Sequence, residues 1–324
     1  MKKQMLLSFL AGLVLPLFLA AAFQKTLPVE DVESDALSPT RAAVPGDETV
    51  ELTVQNRAGN LQQMTLESYL VGVVLAEMPA DFESEALKAQ AVVARTYTRR
   101  RMAGVKHEDA AVCMDPGCCQ GFRSGEDDLR EGGRQASVDK VRAAVEDTDG
   151  MVLEYGGSLI DATYFSCSGG VTEDAVAVWG QDVPYLQSVP SPGEESAPRY
   201  RDSISFSTAE FAEKLGLSAD GDPDNWFGTV TRTEGGGVEA MSVRGKNFTG
   251  TQLRSKLGLR STAFEVAVSG RTITITTRGF GHRVGMSQYG AQAMAKEGST
   301  CAEILAHYYT GAELVSHPVE YYGN

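Results

Sequence analysis

With 324 residues, of which 42% are hydrophobic, the chain can bury one large core or two smaller ones, which excludes an intrinsically disordered protein. Its formal net charge of -14 argues against a nucleic-acid partner, because the phosphates of a duplex would be repelled. The dense basic run at residues 99–101 fits a solvated helix end, which the helix dipole favours.

The first 24 residues carry a targeting signal. Lys2 and Lys3 precede an uncharged, mostly apolar segment, residues 4–24, which has about the length that crosses a bilayer as a helix. The positive charges mark the cytoplasmic side, so one N-terminal transmembrane helix is predicted, with the rest of the chain outside the cytoplasm. Small residues at 20–22 leave a cleaved signal peptide as the alternative. Residues 25–47, rich in proline, alanine and acidic side chains, are predicted to be a linker.

Residues 48–324 are predicted to form the folded domain, which begins with a strand over residues 48–55. Thr65 is placed to cap a helix whose apolar positions recur at spacings of three and four, with Glu77 beside the apolar stripe. Pro79 forces the residue before it out of helical geometry, so Glu77 falls in the last turn. Carbonyl groups point towards that end and oppose a negative charge, which predicts a raised pKa for Glu77.

A second helix is predicted over residues 84–104, with Ser84 as its cap and Gly104 at its end. If the two helices form a hairpin, Arg95 comes within reach of Glu77. An exposed Arg95 is an equally good reading of the spacing alone.

A cluster of potential metal ligands, His107, Cys113, Cys118 and Cys119, follows in a loop-like segment. Outside the cytoplasm, clustered cysteines more often form disulfides. The alternative is a metal, because His107, Cys113 and Cys119 offer one nitrogen and two sulfurs, a set that suits zinc and leaves one position open. Cys118 or Cys167 would then be a fourth ligand or part of a disulfide pair.

Later segments predict two hairpins and two capped helices. Residues 151–170 indicate strands joined at Gly156–Gly157, and residues 264–279 indicate a second hairpin. An inserted lobe is expected at about residues 200–259. Ser287 can cap a helix that runs to residue 295, and a closing helix is predicted over residues 300–311.

Four separated motifs resemble those of the stage II sporulation protein D family, whose relatives include activators of cell-wall amidases. They are EMPADFESEALKAQAVVARTYT (residues 77–98), SCSGGVTE (166–173), VWGQDVPYLQSVPSPGE (178–194) and GFGHRVGMSQYGAQAMA (279–295). The motifs occur in the family's order, and the resemblance spans about residues 48–309.

The resemblance implies a membrane-anchored lytic transglycosylase that degrades peptidoglycan during engulfment in endospore formation. Its expected partners are peptidoglycan glycan strands, a cell-wall amidase and a membrane scaffold protein, and it would face the intermembrane space of the sporulating cell. We expect an α+β fold in two lobes, with a substrate cleft between the helix pair and the strand-borne loops.

The family's catalytic acid falls on Glu77 and its arginine on Arg95. A hydrolytic glycosidase needs two carboxylates, whereas a lytic transglycosylase can use one, first as acid and then as base. Glu77 would cleave the bond between N-acetylmuramic acid and N-acetylglucosamine and leave a 1,6-anhydro end. The residues expected to bind substrate are Arg95, Ser166, Ser168, Gly169, Gly170, His282, Ser287, Gln288 and Tyr289.

Some family members bind zinc beside the catalytic glutamate, which favours zinc at His107, Cys113 and Cys119. Trp226 could stack on a sugar ring, although a lone tryptophan is more often a core residue. The chain departs from many relatives at Phe165, where a histidine is typical, at Cys167 and at Arg283. Two other functions are compatible with the motifs: a glycan-binding activator of an amidase without chemistry of its own, and a zinc hydrolase with Glu77 as base.

Overall fold

The computed structural model describes residues 46–104 and 106–316 and shows a mixed α+β protein with several small sheets, as predicted. The predicted membrane segment and nearly all of the linker lie outside the described residues. Within these, no helix has the length and apolar character needed to cross a membrane. The two lobes and the cleft between them stay a prediction.

Helices and strands alternate irregularly along the chain. The helices are α1 (Leu66–Glu77), α2 (Ser84–Met102), α3 (Gly125–Arg130), α4 (Gln135–Glu146), α5 (Ala175–Trp179), α6 (Thr208–Leu215), α7 (Gly250–Leu257), α8 (Gln288–Lys296) and α9 (Cys301–Tyr308). The strands are β1 (Glu51–Gln55), β2 (Leu61–Thr65), β3 (Val112–Cys113), β4 (Met151–Tyr155), β5 (Ser158–Leu159), β6 (Tyr164–Phe165), β7 (Gly170–Val171), β8 (Pro190–Ser191), β9 (Arg201–Ser207), β10 (Phe227–Arg232), β11 (Val238–Val243), β12 (Lys246–Thr249), β13 (Phe264–Ser269), β14 (Thr272–Arg278), β15 (Met286–Ser287) and β16 (Glu313–Ser316).

Helix α1 has the predicted ends. The Thr65 side chain accepts a hydrogen bond from the Ser68 backbone N–H, a cap that contributes about 1 kcal/mol. Met78 is extended, with φ -126° and ψ 144°, because the ring of Pro79 disfavours helical geometry in the residue before it. The start of α2 differs from the prediction: Ser84 is its first residue, and Glu83 occupies the cap position without a side-chain cap.

The larger hydrophobic cluster surrounds α2, which contacts α1, α4, α8, α9 and β4. Every residue of α2 from Ala89 to Arg99 is buried, and the helix carries four fully buried alanines, Ala86, Ala89, Ala91 and Ala94. Small side chains let the neighbouring backbones approach closely, so α2 can pack against several helices and a strand at once.

A second hydrophobic cluster draws its members from Phe206 to Ile275. It includes the sheet β13-β14-β9 and the sheet β10-β11-β12, with α6 and α7 packed against them. The predicted hairpin of β13 and β14 is confirmed. Trp226 is a core residue here, with 3% exposure and its Nε1 donating to the Asp220 carbonyl, so the idea that it stacks on a sugar is wrong.

Three pairings bring distant loops together. Strand β6 pairs in parallel with β15, Cys167 forms a bridge with Phe280, and Glu173 forms a bridge with Val284. The loop after β6 therefore lies beside the glycine-rich loop before α8, although the two are far apart in sequence.

Candidate functional site

A pocket of about 440 Å³ opens at the end of α1, where these loops meet. We name it the Glu77 pocket. It is lined by Glu77, Tyr97, Pro116, Cys119, Ala162, Thr163, Tyr164, Phe165, Ser166, Phe280, Gly281, His282 and Gln288. A larger pocket, of about 780 Å³, is lined by charged side chains around Arg123, but no predicted site residue is among those described around it.

Glu77 is held by three neighbours. Its Oε1 accepts a hydrogen bond of 2.7 Å from the Gly121 backbone N–H, and its carboxyl also bonds to the side chains of Gln288 and Tyr164. Burial raises the pKa of Glu77, and the three hydrogen bonds oppose that effect because they favour the charged form. The net direction is upward, as predicted, with burial as its largest cause.

Tyr164 and Gln120 extend this network away from the pocket. The Tyr164 hydroxyl has a single proton, which it can donate either to Glu77 or to Gln120 Oε1, 3.3 Å away. Gln120 Nε2 donates to Thr98 Oγ1 at 3.0 Å. Burial raises the pKa of Tyr164 well above its ordinary value, so it stays a neutral donor. No local pattern in the sequence marks Tyr164, because its contact with Glu77 depends on the pairing of β6 with β15.

His282 forms part of the pocket wall as a neutral ring. Burial, together with the nearby charge of Arg254, lowers the pKa of His282 to about 4. Its Nδ1 accepts a hydrogen bond from the Val284 N–H at 3.2 Å, and its ring meets Phe165 edge-on at 5.6 Å. Because its ring also hydrogen-bonds to the Tyr164 backbone, His282 offers ring contacts at neutral pH rather than a charge.

Three residues of the predicted site, Ser168, Gly169 and Ser287, are held by a buried acid, Glu194, which is 1% exposed. Its Oε2 accepts from Ser168 N at 2.7 Å, Ser168 Oγ at 2.8 Å and Gly169 N at 2.9 Å. Its Oε1 accepts from Ser191 Oγ at 2.7 Å and from Ser287 Oγ. Because Ser168 and Ser287 are fully buried, neither can bind a saccharide; they hold the pocket wall instead.

Ser166 is the member of that loop that lines the pocket, and its carbonyl accepts from the Tyr289 N–H at 3.0 Å. The Tyr289 ring packs edge-on against Phe82 at 5.1 Å and is not among the lining residues. Gly170 adopts φ +113°, a conformation that favours glycine, and its N–H donates to Ser168 Oγ. Gly170 therefore provides the backbone conformation that this turn requires.

Arg95 is neither a partner of Glu77 nor exposed, so both interpretations of its spacing are wrong. Its side chain is fully buried, with Nε 2.5 Å from Asp47 Oδ2 and Nη2 donating to the Val145 carbonyl at 3.0 Å. Asp47 also pairs with Arg99 at 2.9 Å. The guanidinium cannot reach a glycan because these core partners take its donors, so Arg95 is a structural residue.

The predicted metal ligands do come together, with Cys118 as a fourth member. The ligand atoms of His107, Cys113, Cys118 and Cys119 all lie within 4.8 Å of one another. No disulfide joins any of the described cysteines, and Cys167 lies outside the cluster. One nitrogen and three sulfurs form a set that could hold a metal ion, and it matches the closed ligand sets of structural zinc sites.

The cluster adjoins the Glu77 pocket. Cys119 lines the pocket, and Gly121, two residues later, donates to Glu77. Burial alone would raise the pKa of the Cys119 thiol, but its hydrogen bond with His107, at 3.2 Å, helps to bring it down to about 7. Burial raises the pKa of the Cys113 thiol to about 11, so a bound metal would have to displace that proton, whereas Cys119 is partly a thiolate near neutral pH.

Comparison with known proteins gives consistent matches. Residues 54–155 match the sequence profile of the family described as Stage II sporulation protein. The chain is 40% identical over 324 residues to "Stage II sporulation protein D" of Bacillus subtilis (strain 168), which covers 95% of this chain and 94% of that protein. It is 41% identical over 261 residues to the protein of that name from Bacillus amyloliquefaciens, and the match covers 79% of this chain and 75% of that protein. It is 28% identical over 307 residues to "Amidase enhancer" of Bacillus subtilis (strain 168), and the match covers 76% of this chain and 40% of that protein.

Proposed function

The chain belongs to the stage II sporulation protein D family, and from this premise we propose that it is a peptidoglycan lytic transglycosylase of sporulating cells. It would cleave the bond between N-acetylmuramic acid and N-acetylglucosamine. The observation that carries the proposal is that Glu77, with its raised pKa, is the one carboxyl among the described residues that line its pocket.

One carboxyl suffices for this reaction. Protonated Glu77 donates its proton to the glycosidic oxygen as the bond to C1 of the muramic residue breaks. The Glu77 carboxylate then takes the proton from the C6 hydroxyl of the same residue, and O6 bonds to C1. The products are a 1,6-anhydro end and a free 4-hydroxyl. No water is consumed, and Glu77 ends protonated as it began.

The neighbours of Glu77 suit this cycle. Burial favours the protonated acid before the reaction, whereas Gly121 N–H, Gln288 and Tyr164 stabilise the carboxylate formed midway. The opposing effects bring the two protonation states closer in free energy, which is what a group that acts first as acid and then as base requires. Ser166 and His282 would contact the sugar, since both line the same pocket.

We further propose that the four-residue cluster holds a zinc ion. His107, Cys113, Cys118 and Cys119 would be its ligands, and the ion would order the loop that carries Gly121 to Glu77. With four protein ligands the ion has no open position for water, which argues against the zinc-hydrolase reading.

The proposed setting follows from the family and from the N-terminal sequence. Residues 1–24 would anchor the chain in the cell membrane, with the catalytic part facing the intermembrane space. A cell-wall amidase and a membrane scaffold protein are the proposed partners. The similarity to an amidase enhancer favours a second candidate function, a glycan-binding activator without chemistry of its own.

The test uses the full chain, purified in detergent, with glycan strands that lack stem peptides and with mass spectrometry of the ends. Wild type should form 1,6-anhydromuramic ends, and Glu77→Gln should be slower by about 10²- to 10⁴-fold. Ordinary reducing ends would indicate a hydrolase. Glycan binding without cleavage by wild type would favour the activator and refute the proposed reaction.

A further inference from the structure

Trp179 is an exposed indole beside the Glu77 pocket. The chain has 2 tryptophans, and they differ sharply: Trp226 is 3% exposed, whereas Trp179 is 45% exposed. Tryptophan is highly buried on average, so a large exposed ring in a fixed position points to a binding role.

The position of Trp179 is fixed by both ends of α5. At the start, the Asp174 side chain accepts from the Val176 N–H at 2.8 Å, and at the end Gly180 takes the left-handed conformation with φ 73°. Just before the helix, Glu173 is fully enclosed and pairs with Arg283 at 2.9 Å. The indole is therefore carried by an anchored turn, whose backbone has little freedom to lose on binding.

Ring contacts connect Trp179 to the pocket wall. Its ring centroid lies 5.4 Å from that of His282, with the planes inclined at 49°. His282 in turn meets Phe165, and both of these residues line the Glu77 pocket. The aromatic surface is thus continuous from the pocket to the exposed indole, and Val176, 49% exposed and three residues before Trp179, adds an apolar edge.

We propose that Trp179 is the stacking platform of a further sugar subsite, which takes an N-acetylated pyranose of the strand whose neighbouring unit lies at Glu77. This rests on the proposed function. The face of a pyranose presents C–H groups, which bind the electron-rich face of an indole, and the ring hydroxyls stay in water.

Binding can be measured through the two tryptophans. In full chains that also carry Glu77→Gln, which slows cleavage, a chitin oligosaccharide is titrated while tryptophan emission is recorded. With Trp226→Phe, only Trp179 reports, and its emission should shift as the sugar binds. With Trp179→Phe, only the buried Trp226 reports, and its emission should stay constant. An unchanged emission of Trp179 at sugar concentrations that saturate the protein by calorimetry would overturn the subsite.

Affinity provides the second measurement. Trp179→Ala should bind the oligosaccharide roughly three- to tenfold more weakly, whereas Trp179→Tyr should restore most of the affinity. In the cleavage assay, Trp179→Ala should raise KM and leave kcat nearly unchanged. Full affinity in Trp179→Ala would show that the indole does not bind the sugar and would refute the proposal. A wild-type chain that binds sugar through Trp179 but forms no anhydro ends would refute the proposed reaction alone.

Discussion

Replacing Glu194 by alanine should detach the wall of the Glu77 pocket. Five donors converge on its two oxygens: Ser168 N and Oγ, Gly169 N, Ser191 Oγ and Ser287 Oγ. The three hydroxyls can turn to other acceptors, but the two backbone N–H groups are fixed in direction. Each buried donor left without a partner costs about 1–3 kcal/mol, so Glu194→Ala should lose about 2–6 kcal/mol of stability.

The assay is denaturant unfolding followed by circular dichroism, with Glu195→Ala as the matched control, because Glu195 is the exposed neighbour in the chain. Glu194→Ala should unfold at a clearly lower denaturant concentration, and its folded fraction should cleave glycan more slowly because Ser166 is displaced. An unchanged unfolding midpoint would show that water or a shifted loop satisfies these donors, and the reasoning would fail.

Three further predictions concern the acid, the core arginine and the metal cluster. Because the folded state raises the pKa of Glu77, kcat/KM of wild type should fall as pH rises through that pKa. Above that pH Glu77→Gln should be more stable than wild type in denaturant unfolding, because it does not bury a charge; equal stability of the two would contradict the raised pKa. Arg95→Met should lose about 3–5 kcal/mol of stability, because it leaves Asp47 with one fewer buried partner. The control Arg142→Met breaks a half-exposed ion pair with Glu67 and should change stability little. An Arg95→Met variant that is inactive but as stable as wild type would restore a role of Arg95 in substrate binding. Cys118→Ala should lose bound zinc by elemental analysis while Cys301→Ala keeps it, and zinc retained by both would exclude Cys118 as a ligand.

Local features of the fold were predictable because their causes lie within a few residues. Thr65 and Pro79 mark the ends of α1, and the alternation around Gly270 marks the hairpin of β13 and β14. Ser287 caps α8 through the Gly290 N–H as expected. Such caps and turns depend on backbone geometry that the neighbouring side chains impose, whatever the rest of the chain does.

The sequence by itself also determined that Glu77 stands at a helix end, and that His107 and the nearby cysteines are spaced as ligands. The apolar stripe was wrong, because α1 is buried on all sides from Tyr69 to Leu75. Only the tertiary structure decided what the other polar residues do. It placed Arg95 against Asp47 and joined the serines to Glu194. It also buried Trp226 and left Trp179 exposed. These outcomes depend on packing between segments that are distant in sequence, and a buried polar group takes whichever partner that packing brings within reach, because leaving it unpaired is costly.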